Sequence, residues 1–128
     1  MIRNAIVAPD APVGAGPYSP AVRAGDFLFL SGIGALHVET HEIMGTDVIE
    51  QTRHTMTNII AILRAGGASL DNVVKMDAYL QNPDDYEDFN RTYAEYFSPP
   101  YPARITVSAG QVWEMLVKMD CIAYLGDP

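Results

Sequence analysis

Hydrophobic and polar residues follow two different periods along the 128-residue chain, and these periods predict strands at both ends with two helices between them. The predicted elements are strands over residues 4–7, 21–23 and 27–32, a helix from Thr46 or Asp47 to Ala65, a strand over 72–81, a helix over 82–97, a strand opening at Arg104, and a strand over 116–125. Strands and helices mixed in this order are typical of an α+β fold.

Both helices carry an apolar stripe at helical spacing. The stripe consists of Val48, Thr52, Met56, Ile59, Ile60 and Leu63 in the first helix, and of Tyr86, Phe89, Tyr93, Tyr96 and Phe97 in the second. Thr46 is the predicted N-cap of the first helix, and Gly66-Gly67 ends it. We expect both helices to pack on one face of a mixed sheet, as a two-layer sandwich.

Three strands carry polar residues at alternate positions. The polar sets are Lys75, Asp77 and Tyr79, which alternate with Val74, Met76, Ala78 and Leu80; then Arg104, Thr106 and Ser108; then Lys118 and Asp120. We assign all three sets to the sheet face that the helices leave uncovered. A face that mixes paired charges with a tyrosine, in a chain that is 48% hydrophobic, predicts a closed homo-oligomer whose sheets face one another.

Length and composition narrow the classes of function. One domain over residues 1–128 is expected, and at a formal net charge of −8 without a basic stripe we expect no binding to nucleic acid. The longest apolar stretch, Ile59–Leu63, is far too short to span a bilayer, and no signal-peptide core is present. Cys121 is the only cysteine, which excludes an internal disulfide and favours a reducing, cytoplasmic compartment.

Arg104 is the most informative residue of the chain. It opens a strand after Tyr101-Pro102-Ala103, so its guanidinium is fixed on a sheet face. Arginine stays charged and its planar fork matches a carboxylate or phosphate bidentately. Arg104 is therefore either salt-bridged within the fold or available to an anionic ligand.

Asp120 and Tyr18 are further candidates. A carboxylate inside a strand either pairs with Arg104 or Lys75 across strands or binds and polarises a water molecule. Tyr18 lies between Pro17 and Pro20, a stiff segment that either presents its hydroxyl to a site or packs it in a turn. The glycines at 32 and 34 let a ligand approach the backbone near Ser31 and Gly32.

A metal site is not expected. His37, Glu39, His41 and Glu42 offer ligand types, but they lie in a hairpin tip between Gly34 and Gly45, where a solvated loop explains them. Cys121 lies on the apolar face of its strand, and Lys118 and Asp120 lie on the opposite face. Cys121 is therefore interpreted as a buried hydrophobic residue.

Five segments together resemble the Rid family of reactive-intermediate deaminases, also called the YjgF or endoribonuclease L-PSP family. They are Gly16-Pro17-Tyr18-Ser19, Phe29-Leu30-Ser31-Gly32, residues 68–75 (ASLDNVVK), residues 89–97 (FNRTYAEYF) and Pro102-Ala103-Arg104. The resemblance covers almost the whole chain in matching order and spacing. It implies a chorismate-mutase-like α+β fold, a homotrimer with a central barrel of sheets, and ligand sites in the clefts between subunits.

The resemblance also implies an activity. Rid proteins typically hydrolyse 2-imino or 2-enamino acids to 2-keto acids and ammonia, without a cofactor. On that basis Arg104 would hold the substrate carboxylate, Asp120 would orient the attacking water, and Tyr18 would hydrogen-bond substrate or water. Backbone groups near Ser31 and Gly32 and around Thr106 would complete the pocket, and Tyr86 and Asn90 would form its wall.

Departures from the family pattern define the alternatives. Pro20 replaces a frequent glutamine, Thr106 a frequent cysteine, and Lys118 with Asp120 two usual glutamates. Lys118, two residues away, is expected to hold Asp120 ionised. The alternatives are a non-catalytic module that binds carboxylate metabolites, a pathway-specific deaminase of an amino-dicarboxylate such as 2-aminomuconate, and the ribonuclease of the older family name, against which the net charge argues.

Overall fold

The computed structural model describes residues 2–127, which form one mixed sheet of seven strands with two helices on one face. The strands are β1 (Asn4–Ala5), β2 (Ala21–Ala24), β3 (Phe27–Leu30), β4 (Ile33–Gly34), β5 (Val73–Leu80), β6 (Ala103–Ser108) and β7 (Val117–Tyr124), and the helices are α1 (Val48–Ala65) and α2 (Tyr86–Ala94). The predicted α+β class, with a mixed sheet and two helices, is confirmed.

The strand order in the sheet is β1-β2-β3-β7-β5-β6. Only β5 and β6 run parallel; the other pairs are antiparallel. β3 and β4 both pair with β7, one after the other, and the chain breaks from the ladder at Ser31 and Gly32 between them. β6 pairs with β5 alone among the described strands, so it is an edge strand.

Helix α1 supplies the core of the helical layer. Val48, Met56, Ile59 and Leu63 of its predicted stripe are buried. The helix is capped by Asp47, whose Oδ1 accepts the Glu50 N–H at 2.8 Å, so the predicted cap at Thr46 is wrong by one residue. Asp47 has the extended backbone that an N-cap requires.

Helix α2 is shorter than predicted. A 3₁₀ turn over Pro83–Asp85 precedes it, because the Asn82 side chain accepts the Asp84 N–H at 2.9 Å. It ends at Ala94, after which the Glu95 and Tyr96 amides bond three residues back, as in a 3₁₀ turn. Its aromatic stripe faces the core only in part, since Phe89 and Tyr93 are buried and Tyr86 is 43% exposed.

The alternation predicted for β5 fails at one residue. Val73 pairs with Ala123 and Lys75 with Ile122, so Val74 is an extra residue in the ladder. The bulge turns Val74 outward, where it is 45% exposed, while Met76, Ala78 and Leu80 are buried as predicted.

The assignment of every polar set to one sheet face is wrong for β6. Arg104 pairs in register with buried Met76, and Thr106 with buried Ala78, so both point to the helical side. Ser108 follows the same alternation. β6 is at the sheet edge beside α2, where a polar side chain on the helical side remains partly exposed to solvent.

The open face of the sheet combines a polar centre with apolar flanks. Lys75, Asp77, Tyr79, Lys118 and Asp120 form its centre, as predicted. Phe27 and Phe29 of β3 are 41% and 42% exposed, and Ile105 and Val107 of β6 are 53% and 38% exposed. Neither helix of the described chain is long and apolar enough to cross a membrane.

Candidate active site

Helix α2 holds the Arg104 side chain through neutral acceptors. Arg104 Nη2 donates to Asn90 Oδ1 at 2.6 Å and to the Tyr86 hydroxyl at 3.3 Å. Tyr86 and Asn90 are four residues apart, so they lie on the same face of the helix. Hydrogen bonds from Asn90 and the charge of Arg104 lower the pKa of Tyr86. The predicted placement of Tyr86 and Asn90 beside Arg104 is what the structure shows.

Aromatic rings surround the Arg104 guanidinium. Its Cζ lies 4.8 Å from the ring centroid of Tyr93, 5.4 Å from that of Phe89 and 5.9 Å from that of Tyr86. Cation–π contacts of this kind fix a guanidinium in place without neutralising its charge. Burial raises the pKa of Tyr93 to about 12, so its hydroxyl stays neutral beside the cation.

One side of the Arg104 fork remains available for recognition. Within residues 2–127, no carboxylate lies within salt-bridge distance of Arg104, and its Nε and Nη1 donate to no protein group. Guanidinium N–H groups that have no protein acceptor are available to the oxygen atoms of a carboxylate. The salt-bridged alternative for Arg104 is therefore excluded for the described chain.

Thr106 adds an unpaired hydroxyl on the same side of the sheet. Its Oγ1 is buried and has no hydrogen-bond partner among the described residues. Thr106 lines a groove of about 210 Å³ with Tyr86, Ser108 and Pro83. A buried hydroxyl left unpaired destabilises a fold by about 1–3 kcal/mol, so a polar ligand at this position would be favoured.

Tyr18 and Ser31 form a second group near β2. The Tyr18 N–H donates to Gly16 O at 2.8 Å, and its ring packs on Gly14, where any Cβ would overlap it. Ser31 Oγ donates to Ser19 O at 2.5 Å, which ties the two segments together. Tyr18 and Ser31 line one groove of about 450 Å³, and the Tyr18 side chain is 51% exposed. The Tyr18 side chain is thus exposed in this groove and is not buried within its own turn.

Gly32 and Asp120 belong to this second group. Phe29 pairs with Ile122 and Ile33 with Met119, so the break at Ser31 and Gly32 lies opposite Asp120. The Lys118 side chain crosses directly over Gly32, where a Cβ would lie 2.9 Å from its Cε. A larger residue at position 32 would displace the end of the Lys118 side chain.

The environment of Asp120 differs from the prediction. Burial, followed by a hydrogen bond and repulsion from Asp77, raises the pKa of Asp120 to about 6. Lys75 and Tyr79 oppose this rise, whereas Lys118 does not contribute to it. The expectation that Lys118 holds Asp120 ionised is wrong, because the Lys118 side chain lies over Gly32 instead. The alternative of an ion pair between Asp120 and Arg104 is excluded by the opposite faces of the two residues.

The predicted site residues thus form two separate groups. The Arg104 group contains Arg104, Tyr86, Asn90 and Thr106, and the Tyr18 group contains Tyr18, Ser31, Gly32 and Asp120. In the sheet, β5 separates β6 from β7. Arg104 lines one groove, Thr106 and Tyr86 line another, and Tyr18 and Ser31 line a third. A single chain does not bring all eight residues together.

Sequence reasoning missed two residues of the Tyr18 group. Trp113 lines a small pocket with Tyr18 and Gly32, and it has a positive φ of 65° that a tryptophan rarely adopts. Arg3 lines the larger groove with Tyr18 and Ser31. Trp113 could have been singled out because it is the only tryptophan of the chain, whereas no pattern in the sequence points to Arg3.

Two buried amides of α1 position the loops around this group. Asn58 Nδ2 donates to Gly34 O and Leu36 O, each at 3.0 Å, and Gln51 Oε1 accepts the Leu116 N–H at 2.8 Å.

His37 makes hydrogen bonds within its own turn, because its Nδ1 accepts the Glu39 and Thr40 N–H groups. Cys121 is buried, which raises its pKa to about 12.

The model of the family described as Endoribonuclease L-PSP matches residues 8–125. The chain belongs to this family, the Rid family. A RutC family protein of Pyrococcus horikoshii is 40% identical over 124 residues, which are 96% of this chain and 98% of the relative.

Other members of the Rid family have more specific names. The 2-iminobutanoate/2-iminopropanoate deaminase of Dermatophagoides farinae is 34% identical over 110 residues, which are 86% of each chain. The crystal structure of RidA from the Antarctic bacterium Psychrobacter sp. superposes with a TM-score of 0.90 at 32% identity, covering 95% of this chain and 99% of that one. The fold described above is therefore the Rid fold, and the family includes proteins named as imine deaminases.

Proposed function

We propose that this Rid protein hydrolyses 2-imino and 2-enamino acids to 2-keto acids and ammonia. Arg104 binds the substrate carboxylate, Asp120 orients the attacking water, and Tyr18 hydrogen-bonds the substrate or the water. The observation that carries the proposal is the Arg104 fork, which neutral groups hold at 2.6 and 3.3 Å while two of its nitrogens stay available.

The reaction takes place between protomers of a homotrimer. The Arg104 group of one protomer meets the Tyr18 group of its neighbour, which the separation of the two groups within one chain supports. The apolar flanks of the open face, Phe27, Phe29, Ile105 and Val107, are covered as the sheets form a central barrel. Closure also covers β6, whose free edge would otherwise invite aggregation.

Positioning accounts for the proposed rate enhancement. A carboxylate held by the fork fixes the imine carbon relative to the water at Asp120, and such fixing can lower a barrier by several kcal/mol, up to about 7–11. The Thr106 hydroxyl and the Ser31-Gly32 backbone are available to the substrate nitrogen and oxygen atoms. The reaction consumes only water, so the proposal includes no cofactor.

The test is a coupled assay in which an amino-acid oxidase or dehydratase releases 2-iminopropanoate and the formation of pyruvate is followed. The wild-type protein should accelerate pyruvate formation over the uncatalysed rate, and Arg104→Ala should remove the acceleration. Arg53→Ala is the matched control, because Arg53 is half exposed and paired with Glu95 on the helical surface. Equal rates with and without the wild-type protein would refute catalysis, and calorimetric binding of 2-ketobutyrate without turnover would indicate a binding module.

A second candidate is the deamination of an amino-dicarboxylate. Arg3 lines the Tyr18 groove and provides a second cation for a second carboxylate. Arg3→Ala should then raise KM for a dicarboxylate such as 2-aminomuconate while KM for 2-iminopropanoate stays constant. An equal effect on both substrates would argue against this candidate.

A further inference from the structure

Asp120 faces a second carboxylate across the sheet. Asp77 of β5 and Asp120 of β7 are register partners in an antiparallel pair, on the open face. Opposed residues of this kind have Cβ atoms about 4.5–5.5 Å apart, close enough for their carboxyl groups to share a proton. Each carboxyl group also shifts the pKa of the other, lowering that of Asp77 and raising that of Asp120.

Lys75 distinguishes the two carboxyl groups. Its Nζ lies 2.6 Å from Asp77 Oδ1, and the Asp77 side chain is only 26% exposed. No such contact with a cation is made by Asp120 among the described residues. Two like charges this close do not both ionise readily, so as pH falls the first proton binds to the member that lacks the cation.

The remaining groups around Asp120 do not change this ranking. Tyr79, also on β5, opposes the rise in the pKa of Asp120, and Lys118 of β7 lies over Gly32. From the β3–β4 side, Ser31 and Gly32 face Asp120 and neither is charged. Asp77 is therefore the charged group that acts most strongly on Asp120. Its negative charge favours the protonated form of Asp120, in agreement with the raised Asp120 pKa of about 6.

We propose that Asp77 is a positioning residue that shares a proton with Asp120, and that Lys75 fixes the negative charge on Asp77 so that Asp120 exchanges protons during hydrolysis. The inference rests on the proposed function. Its chemical content is that one carboxyl group both accepts and returns the proton, which is efficient when its proton affinity matches the working pH.

Every proton of the reaction is accounted for when Asp120 takes one proton from water and returns it to the substrate nitrogen. Water adds to the carbon of the protonated imine, its oxygen forming the new C–O bond while the C=N π pair moves to nitrogen and Asp120 takes the proton of the water. Asp120 then returns that proton to nitrogen, the C–N bond breaks, and the remaining hydroxyl proton leaves with ammonia as ammonium. The keto acid is released and Asp120 is again a carboxylate.

The experiment follows the Asp120 carboxyl carbon by NMR as pH is varied, together with the pH profile of kcat/KM, in full-length wild-type protein and in Asp77→Asn. In wild type Asp120 should titrate near pH 6, and in Asp77→Asn both the NMR midpoint and the acid limb of the profile should move to lower pH. Asp77→Glu, which restores a carboxylate, should return both toward wild type. Asp71→Asn is the control, since Asp71 is exposed in the turn before β5 and should move neither.

The outcomes separate this inference from the proposed function. An Asp120 midpoint that is unchanged in an active Asp77→Asn protein would overturn the inference, and so would a wild-type midpoint in the ordinary aspartate range. Should Asp77→Asn not fold, Lys75→Met provides a second test, because Lys75 lowers the pKa of Asp77 and loss of the cation should raise the Asp77 midpoint. An unchanged Asp77 midpoint in Lys75→Met would overturn the inference. A wild-type protein without imine hydrolysis would instead refute the proposed function, whatever the titration shows.

Discussion

Arg104 and Asp120 lie on opposite faces of one sheet: Arg104 is in register with Met76 on the helical side, and Asp120 with Asp77 on the open side. In one chain the anion-binding group and the candidate water-binding group therefore point away from each other. The site proposed above, which uses both groups, would therefore be completed by a second protomer.

Asn90→Ala should weaken substrate binding more than the chemical step. Asn90 Oδ1 accepts the shortest hydrogen bond of Arg104, and a hydrogen bond to a charged group contributes about 1.5–3 kcal/mol. We expect KM to rise about tenfold or more, with a smaller change in kcat. Glu87→Ala, on the exposed side of the same helix, should leave both constants unchanged. A normal KM for Asn90→Ala would show that the fork is held without Asn90.

Ile105→Asp should disrupt the proposed trimer. Ile105 is 53% exposed on the open face, where a buried carboxylate would be desolvated on assembly. Analytical ultracentrifugation should show a smaller species, and imine hydrolysis should fall with it. Val7→Asp tests the effect of charge alone, because Val7 is 83% exposed and lies outside the strands. A trimer that tolerates Ile105→Asp would place the interface elsewhere.

Asp47→Ala should destabilise the fold, and Thr46→Ala should not. The Asp47 carboxylate caps α1 through the Glu50 N–H, whereas Thr46 contributes mainly its backbone N–H, which alanine retains. Loss of an N-cap costs about 1 kcal/mol. Urea unfolding of the two variants measures the difference, and equal midpoints would contradict the assignment of the cap.

Asp120→Asn should stabilise the protein above pH 6 and lose that advantage near pH 4. The pKa of Asp120 is about 6 in the folded protein, above the ordinary aspartate value, so its contribution to stability is fully present at low pH, where Asp120 is protonated in both the folded and the unfolded state. As pH rises through 6 this contribution is lost, because the charge becomes buried beside Asp77. Asparagine removes that charge. Thermal melting of both proteins at pH 4 and pH 8 is the measurement, and a constant difference in Tm would contradict the linkage.

Local patterns in the sequence were sufficient for both helices and for most of the strands, and they singled out Arg104, Asp120 and Tyr18 as candidates. Helical spacing fixed the buried face of α1, since Val48, Met56 and Ile59 can only share one side of a helix. The resemblance of five segments was sufficient for the family, which the family model confirms over residues 8–125. The resemblance also implied that Tyr86 and Asn90 form the wall of the pocket, and both contact Arg104 in the structure.

Only the tertiary structure decided which face of the sheet each strand presents to the helices. Alternation places Arg104, Thr106 and Ser108 together, but it does not say whether they point toward Met76 or toward Asp77; that follows from the parallel register of β5 and β6. The carboxyl pair of Asp77 and Asp120 is likewise a product of register, because the two residues are 43 positions apart in the chain and adjacent only in the ladder. Side-chain period is a local property of the backbone, whereas register depends on long-range packing, and the chemistry of this protein depends on register.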